Sequence, residues 1–169
     1  MPIPAFQAFN PQPAVSDEEW EDLQRFIGSD AVNFAGKWNN ELGRRRLGWN
    51  MLAFLFGEFW LLYRRMFISS LIFLLVTSFG ASVLLGAGAS PIGVLIYIFG
   101  LRIALAMEAD GYYFAHSLLQ VRMIREAPLS PEQKEMVMNG LGGTSMIAVG
   151  GMAMIVLVML VEIGRSFGG

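Results

Sequence analysis

Between Arg65 and Arg102 the chain runs for 36 residues, 66 to 101, without a charge, and between Glu135 and Glu162 it does so again for 26, residues 136 to 161. About 20 apolar residues in a helix cover the roughly 30 Å hydrocarbon core of a bilayer, so both stretches exceed one crossing. The first is divided near Gly86, Gly88, Ser90 and Pro91. The glycines suit a turn, Ser90 stands as an N-cap, and Pro91 occupies the first helical position. The spacing predicts one span over about 66–85 and a second over about 91–110, the latter continuing as a helix through Gly111 to Glu126. Ser130, Pro131 and Gln133 make a capping-box start for a long helix that holds a third span over about 136–161. The expected fold class is therefore an all-α membrane protein, with three transmembrane helices preceded by cytoplasmic or interfacial amphipathic helices.

Composition points the same way. Charged residues are 15% of the 169, against roughly 25% in soluble domains. The net charge of −2 speaks against a nucleic-acid partner, and the absence of cysteine removes disulfides, thiolate metal sites and cysteine nucleophiles. Seven basic residues precede the first span: Arg25, Lys37, Arg44, Arg45, Arg46, Arg64 and Arg65. The 86–91 turn has none, the connector after the second span has Arg122, Arg125 and Lys134, and only Arg165 follows the third. Positively charged flanks stay inside, which puts the N-terminus in the cytoplasm and the C-terminus in the periplasm. The first 30 residues lack the basic and apolar regions of a cleavable signal peptide.

The N-terminal third reads as three parts. Residues 1–15 carry Pro2, Pro4, Pro11 and Pro13 and form an extended arm. Residues 16–46 form an amphipathic helix pair. Ser16 and Glu19 make a capping box for the first helix, with Trp20, Leu23 and Ile27 on its apolar side, Gly28 at its end, and the acids of 17–22 facing water. Asp30 caps the second, whose Ala31, Phe34, Ala35, Trp38 and Leu42 share one side. This pair is expected on the membrane surface, with Arg44, Arg45 and Arg46 against anionic headgroups. Residues 47–65 are apolar and aromatic but interrupted by Glu58, too short a run to span, and read as an interfacial or partly dipping helix with Trp49, Trp60 and Tyr63 in an aromatic belt.

The run Phe26, Ile27, Gly28, Ala31, Phe34, Trp38, followed by Trp49, Asn50, Ala53, Phe54, Phe59, Trp60 and Tyr63 to Phe67, resembles a family of small bacterial inner-membrane proteins classed as a domain of unknown function. The segment Ala109 to Ile124, with Tyr112, Tyr113 and His116, is similar to that family's helix after its second span. The resemblance covers about residues 20–126. It implies an architecture and a bacterial source only, and the family supplies no enzymatic activity.

Charged groups at membrane depth need a partner or a wet lining and are the first functional candidates. Glu108 and Asp110 fall at the same depth as Arg64 and Arg65, which predicts ion pairs across helices. Arg102 lies 11 residues past Pro91, about 16 Å along the helix, with no acid three or four residues away. Within the chain, Glu58 or a displaced Glu108 can approach it; otherwise a lipid phosphate, water or another subunit must. In the third span Gly143, Ala148, Gly150 and Gly151 offer a small-residue side for close helix packing, within the chain or against a partner.

Catalysis has little to work with. His116 is the single histidine, NGLGGT lacks the lysine and strand of a phosphate loop, and no metal or catalytic site is predicted. No intrinsic cofactor is expected beyond bound lipid. The reading is a non-enzymatic accessory or assembly subunit of a larger membrane complex, partnered by other integral membrane proteins. The alternatives are a self-associating ion-pathway protein lined by Arg102, Glu108 and Glu58, or a lipid-surface protein acting through residues 16–65.

Overall fold

Capping chemistry sets most of the helix boundaries. In the computed structural model, which describes residues 15–38, 49–154, 157 and 161, with backbone alone for 35–38, Ser16 opens α1 (Asp17–Ile27) through a complete capping box with Glu19. A 3-10 turn, Gly28–Asp30, leads into α2 (Ala31–Trp38). Asn50 caps α3 (Met51–Phe56), and Gly57 separates it from α4 (Glu58–Tyr63). The long helices are α5 (Phe67–Gly86) and α6 (Pro91–Glu126). Ser130, Pro131 and Gln133 then open α7 (Pro131–Leu141) with the expected capping box. Among the described residues there is no strand. The Pro-rich arm up to residue 14, Arg44, Arg45 and Arg46, and Arg165 lie outside the described residues.

Among the described residues two helices, α5 and α6, are long and apolar enough to cross a membrane. They differ little from the expected 66–85 and 91–110 with its extension. The third span is a correction. The helix that starts at Pro131 stops at Leu141, with Gly142 as its C-cap and Gly143 at φ +74°, and helix resumes only at residue 146. A Cβ on Gly142 would collide with the carbonyl oxygen of Phe26, so this position must be bare for α1 to reach the end of α7. Ser145 then starts the new helical stretch, its Oγ accepting from the Ala148 N–H at 3.2 Å. A glycine pair ending one helix and a serine opening another lie hidden inside an uncharged run that by length alone looks like one span.

The chain divides into two units. The first combines the described residues before Trp49 with Asp110–Gly142. Its core is Leu23, Phe26 and Ile27 of α1, Phe34 of α2, Met138 of α7, and Tyr113, Phe114, Leu118, Val121 and Ile124 of α6. The α6 positions recur every three or four residues, as one buried helix face requires, and the Phe34 and Tyr113 rings lie 5.1 Å apart. The acids of α1 do not all face water. Glu19 and Asp22 are mostly covered, and α6 returns two arginines to them: Arg122 binds Glu19 at 2.7 Å, and Arg125 binds Asp22 at 3.1 Å and Glu18 at 2.8 Å. Lys134 donates to the Arg125 carbonyl at 2.6 Å, closing the end of α6.

The second unit holds Trp49–Ala109 and the residues from Gly143 on. α5 leaves through a Schellman turn, in which the Ala89 N–H reaches Leu84 O, the Gly88 N–H reaches Leu85 O, and Gly88 sits at φ +83°. Ser90 caps α6 through the Gly93 N–H. The two helices approach closely at Gly80, over which the Tyr97 ring packs while its hydroxyl donates to Val76 O at 2.8 Å. Their most apolar stretches are otherwise bare: only 6% and 11% of them are buried.

Candidate functional site

The polar residues of the second unit gather where residues 49–66 meet α6. The segment expected as one interfacial helix is two six-residue helices, and the break is local chemistry. Gly57 adopts φ +51°, ψ −114°, a backbone state that excludes ordinary side chains. A Cβ there would also stand 3.2 Å from the Arg102 guanidinium. The backbone state calls for glycine, and the missing side chain also leaves the cation unhindered room.

The guanidinium works as a helix cap brought from another helix. One terminal nitrogen of Arg102 donates to Leu55 O at 2.7 Å and to Phe54 O at 3.4 Å, and the other lies 3.4 Å from a Glu58 carboxylate oxygen. Phe54 and Leu55 close α3, so their carbonyls have no intrahelical donor. A cation at that end also meets the negative pole of the helix. Of the partners open to Arg102, the structure brings Glu58. The side chains are 25% and 16% exposed, so the pair is largely shielded, and no second subunit is needed to account for Arg102.

α6 serves the other end of α3 as well. The Asn50 N–H donates to Ala106 O at 3.0 Å, while the Asn50 side-chain oxygen caps the Ala53 N–H at 2.9 Å. The Phe54 ring meets Phe99 edge-on at 5.3 Å. α4 is held similarly: Ser70 of α5 donates to Glu58 O at 2.9 Å, and the Ser145 N–H donates to Tyr63 O at 2.9 Å. α4 ends in a Schellman turn, the Met66 N–H to Leu61 O and the Arg65 N–H to Leu62 O, with Arg65 itself at φ +59° in the position usually given to glycine.

The remaining expected residues fall as follows. Trp49 is half exposed, whereas Trp60, expected at a headgroup belt, is 2% exposed, with Leu61 and Leu62 buried beside it. Arg64 is buried, its guanidinium 5.2 Å from the Tyr63 ring and 6.0 Å from that of Trp60. Asp110 is buried, Glu108 exposed and Arg65 half-buried, and all four charged residues have partners. Gly150 and Gly151 have nothing described within 4 Å of a built Cβ, and neither has Gly143. Leu52, Phe56, Phe59, Trp60, Tyr63, Met146 and Val149 line an apolar groove of about 310 Å³. The sequence did not reveal Gly57, Asn50 and Ser70 as the residues that fasten α3 and α4 to α5 and α6. A glycine next to a lone acid in an apolar run was the available signal for Gly57.

Among the described residues no cluster of metal-ligating side chains occurs. Comparison with curated proteins and with solved structures finds no match. One family pattern does match, over residues 17–118, and so includes α1, α2, α3, α4, Arg102, α5 and most of the α6 face that lines the first core. The chain belongs to that family, which is described as Protein of unknown function (DUF2628).

Proposed function

We propose that the chain is a non-enzymatic integral membrane protein of the bacterial inner membrane that stabilises a larger membrane complex as an accessory or assembly subunit. The observation that carries this reading is the bareness of α5 and α6. Side chains such as Ile68, Phe79, Ile92 and Ile96 are 67–76% exposed, far more apolar surface than a soluble monomer leaves open. Lipid and neighbouring membrane helices are the solvents that suit it. Gly100, Gly150 and Gly151, each open above the backbone, are where a second protein's helix can approach closely. The ion-pathway alternative is the weaker one, because Arg102 and Glu58 engage each other and the carbonyls of α3.

In this reading the basic flanks hold the N-terminus in the cytoplasm. Trp49 and Tyr63 lie at the headgroup level, bound lipid is the one non-protein partner, and nucleic acid is not one. The test is extraction of the tagged full chain from its native membrane in mild detergent, followed by the mass and composition of what accompanies it. A stoichiometric set of other membrane proteins is expected. Recovery as a monomer or pure homo-oligomer would overturn the subunit reading.

A further inference from the structure

The geometry points to residues 49–66 as a re-entrant hairpin that enters the membrane and leaves it on the same side, its tip at Gly57 held by Arg102. This rests on the membrane reading above and goes beyond it, since apolar exposure alone fits equally a segment lying flat at the surface. The added observation is how the irregular backbone is satisfied. Non-helical backbone at membrane depth is tolerated only where its polar groups find partners within the protein, because hydrocarbon offers none. A surface segment can leave such groups to water.

Here donors come from the protein at each break. Phe54 O and Leu55 O accept from Arg102, Glu58 O from Ser70, and Tyr63 O from the Ser145 N–H. Gly57 O takes the Trp60 and Leu61 N–H groups, and Leu61 O and Leu62 O take those of Met66 and Arg65. The outward face of α3 is meanwhile apolar, with Met51, Leu52, Leu55 and Phe56 each 51–55% exposed. An apolar face over a backbone provisioned from within suits hydrocarbon.

Direction and depth follow from α6. The entry residue Asn50 bonds to Ala106 and the tip to Arg102, so α3 descends along α6 from near the end of its apolar stretch toward the middle, about 16 Å from Pro91. α3 and α4 have six residues each, about 9 Å apiece, too short to cross. The chain turns at Gly57 and comes back to Arg64 and Arg65.

The chain has no cysteine, so single cysteines report cleanly. Trp49→Cys, Phe56→Cys, Ala87→Cys and Ile96→Cys in the full chain, in sealed membrane vesicles of each orientation, are treated with a membrane-impermeant maleimide. The expected result is that Trp49→Cys labels from one face and Ala87→Cys from the other. Phe56→Cys and Ile96→Cys should label at least tenfold more slowly from either face and react fully in detergent. Labelling of Phe56→Cys from the Ala87 face would make the segment a crossing, and labelling as fast as Trp49→Cys would make it a surface helix; each overturns the hairpin while leaving the membrane reading intact. Rapid labelling of Ile96→Cys in sealed vesicles would overturn the membrane reading and the hairpin with it.

Discussion

Arg102 and Gly57 lie 45 positions apart in the chain, yet the guanidinium of one packs within 3.2 Å of where the other's Cβ would stand. The arginine that looks unaccompanied in the sequence is the C-terminal cap of α3, and the glycine that breaks the helix is what admits it. The pair makes the α3–α4 break a built feature instead of a weak point.

Removing either member should therefore loosen the same corner by different means. Arg102→Leu leaves Phe54 O, Leu55 O and the Glu58 carboxylate without their donor, a loss of roughly 2–4 kcal/mol for partly shielded groups. Gly57→Ala forces an L side chain into a glycine conformation and against the guanidinium, at a cost of about 1–3 kcal/mol. Thermal unfolding of the full chain in mild detergent measures both. The double variant Arg102→Leu, Glu58→Leu should recover part of the Arg102→Leu loss, because the stranded carboxylate is gone while the carbonyls stay open. No recovery would mean that Glu58 is not a partner that matters.

Acid should weaken the first unit through Glu19. The bidentate Arg122 hydrogen bonds are the main cause of its lowered pKa, the Ser16 N–H adds to them, and partial burial opposes both. With the folded-state value below the ordinary 4.5, this stabilisation is complete above about pH 4.5 and is lost as pH falls through the folded-state value. Glu19→Gln separates the contributions: glutamine keeps the capping box but not the charge. It should cost about 0.5–1 kcal/mol at neutral pH and flatten the acid limb of a melting-temperature profile. An unchanged acid limb would assign that limb to other carboxylates.

Neighbouring glycines around the end of α7 should respond in opposite directions. Gly140 lies within the helix with open space above it, so Gly140→Ala should stabilise by about 0.5–1 kcal/mol. Gly142 has an ordinary φ of −83°, but its Cβ would enter the Phe26 carbonyl. Gly142→Ala should therefore destabilise by about 1–3 kcal/mol through steric conflict alone. If both substitutions stabilise, α1 does not reach α7 at this point.

These cases show what could be read from the chain beforehand. Ser16 with Glu19, Ser90 before Pro91, and Ser130 with Gln133 carry their meaning within four residues, and the helices they open start where local chemistry puts them. The Gly57 break is local, but the cation that caps it lies 45 positions away, and the covering of Glu19 and Asp22 depends on arginines 103 positions away, so helical spacing alone sent those acids to water. The stop at Gly142 is intermediate. Gly142, Gly143 and Ser145 are visible as a stop and a start, but an uncharged run counted against bilayer thickness conceals them. The apolar content of α5 and α6 says that they need covering without saying by what.

The contact of Tyr97 over Gly80 gives the last test. The Tyr97 ring and hydroxyl fill the space above Gly80, and that hydroxyl is bonded to Val76 O. Gly80→Ala must push the ring away, breaking the hydrogen bond and separating the helices, at about 1–3 kcal/mol by overpacking. Tyr97→Phe removes only the hydrogen bond, about 0.6 kcal/mol between membrane helices. It should not rescue Gly80→Ala, because ring carbons as well as the hydroxyl stand in the way. Gly80→Ala with Tyr97→Ala should cost less than the sum of the two single changes, since either one empties the same contact. Gly100→Ala, with nothing above it, is the control and should gain stability as an ordinary helical glycine does. If Gly80→Ala gained stability as well, α5 and α6 would have to be farther apart than the Tyr97 to Val76 bond allows.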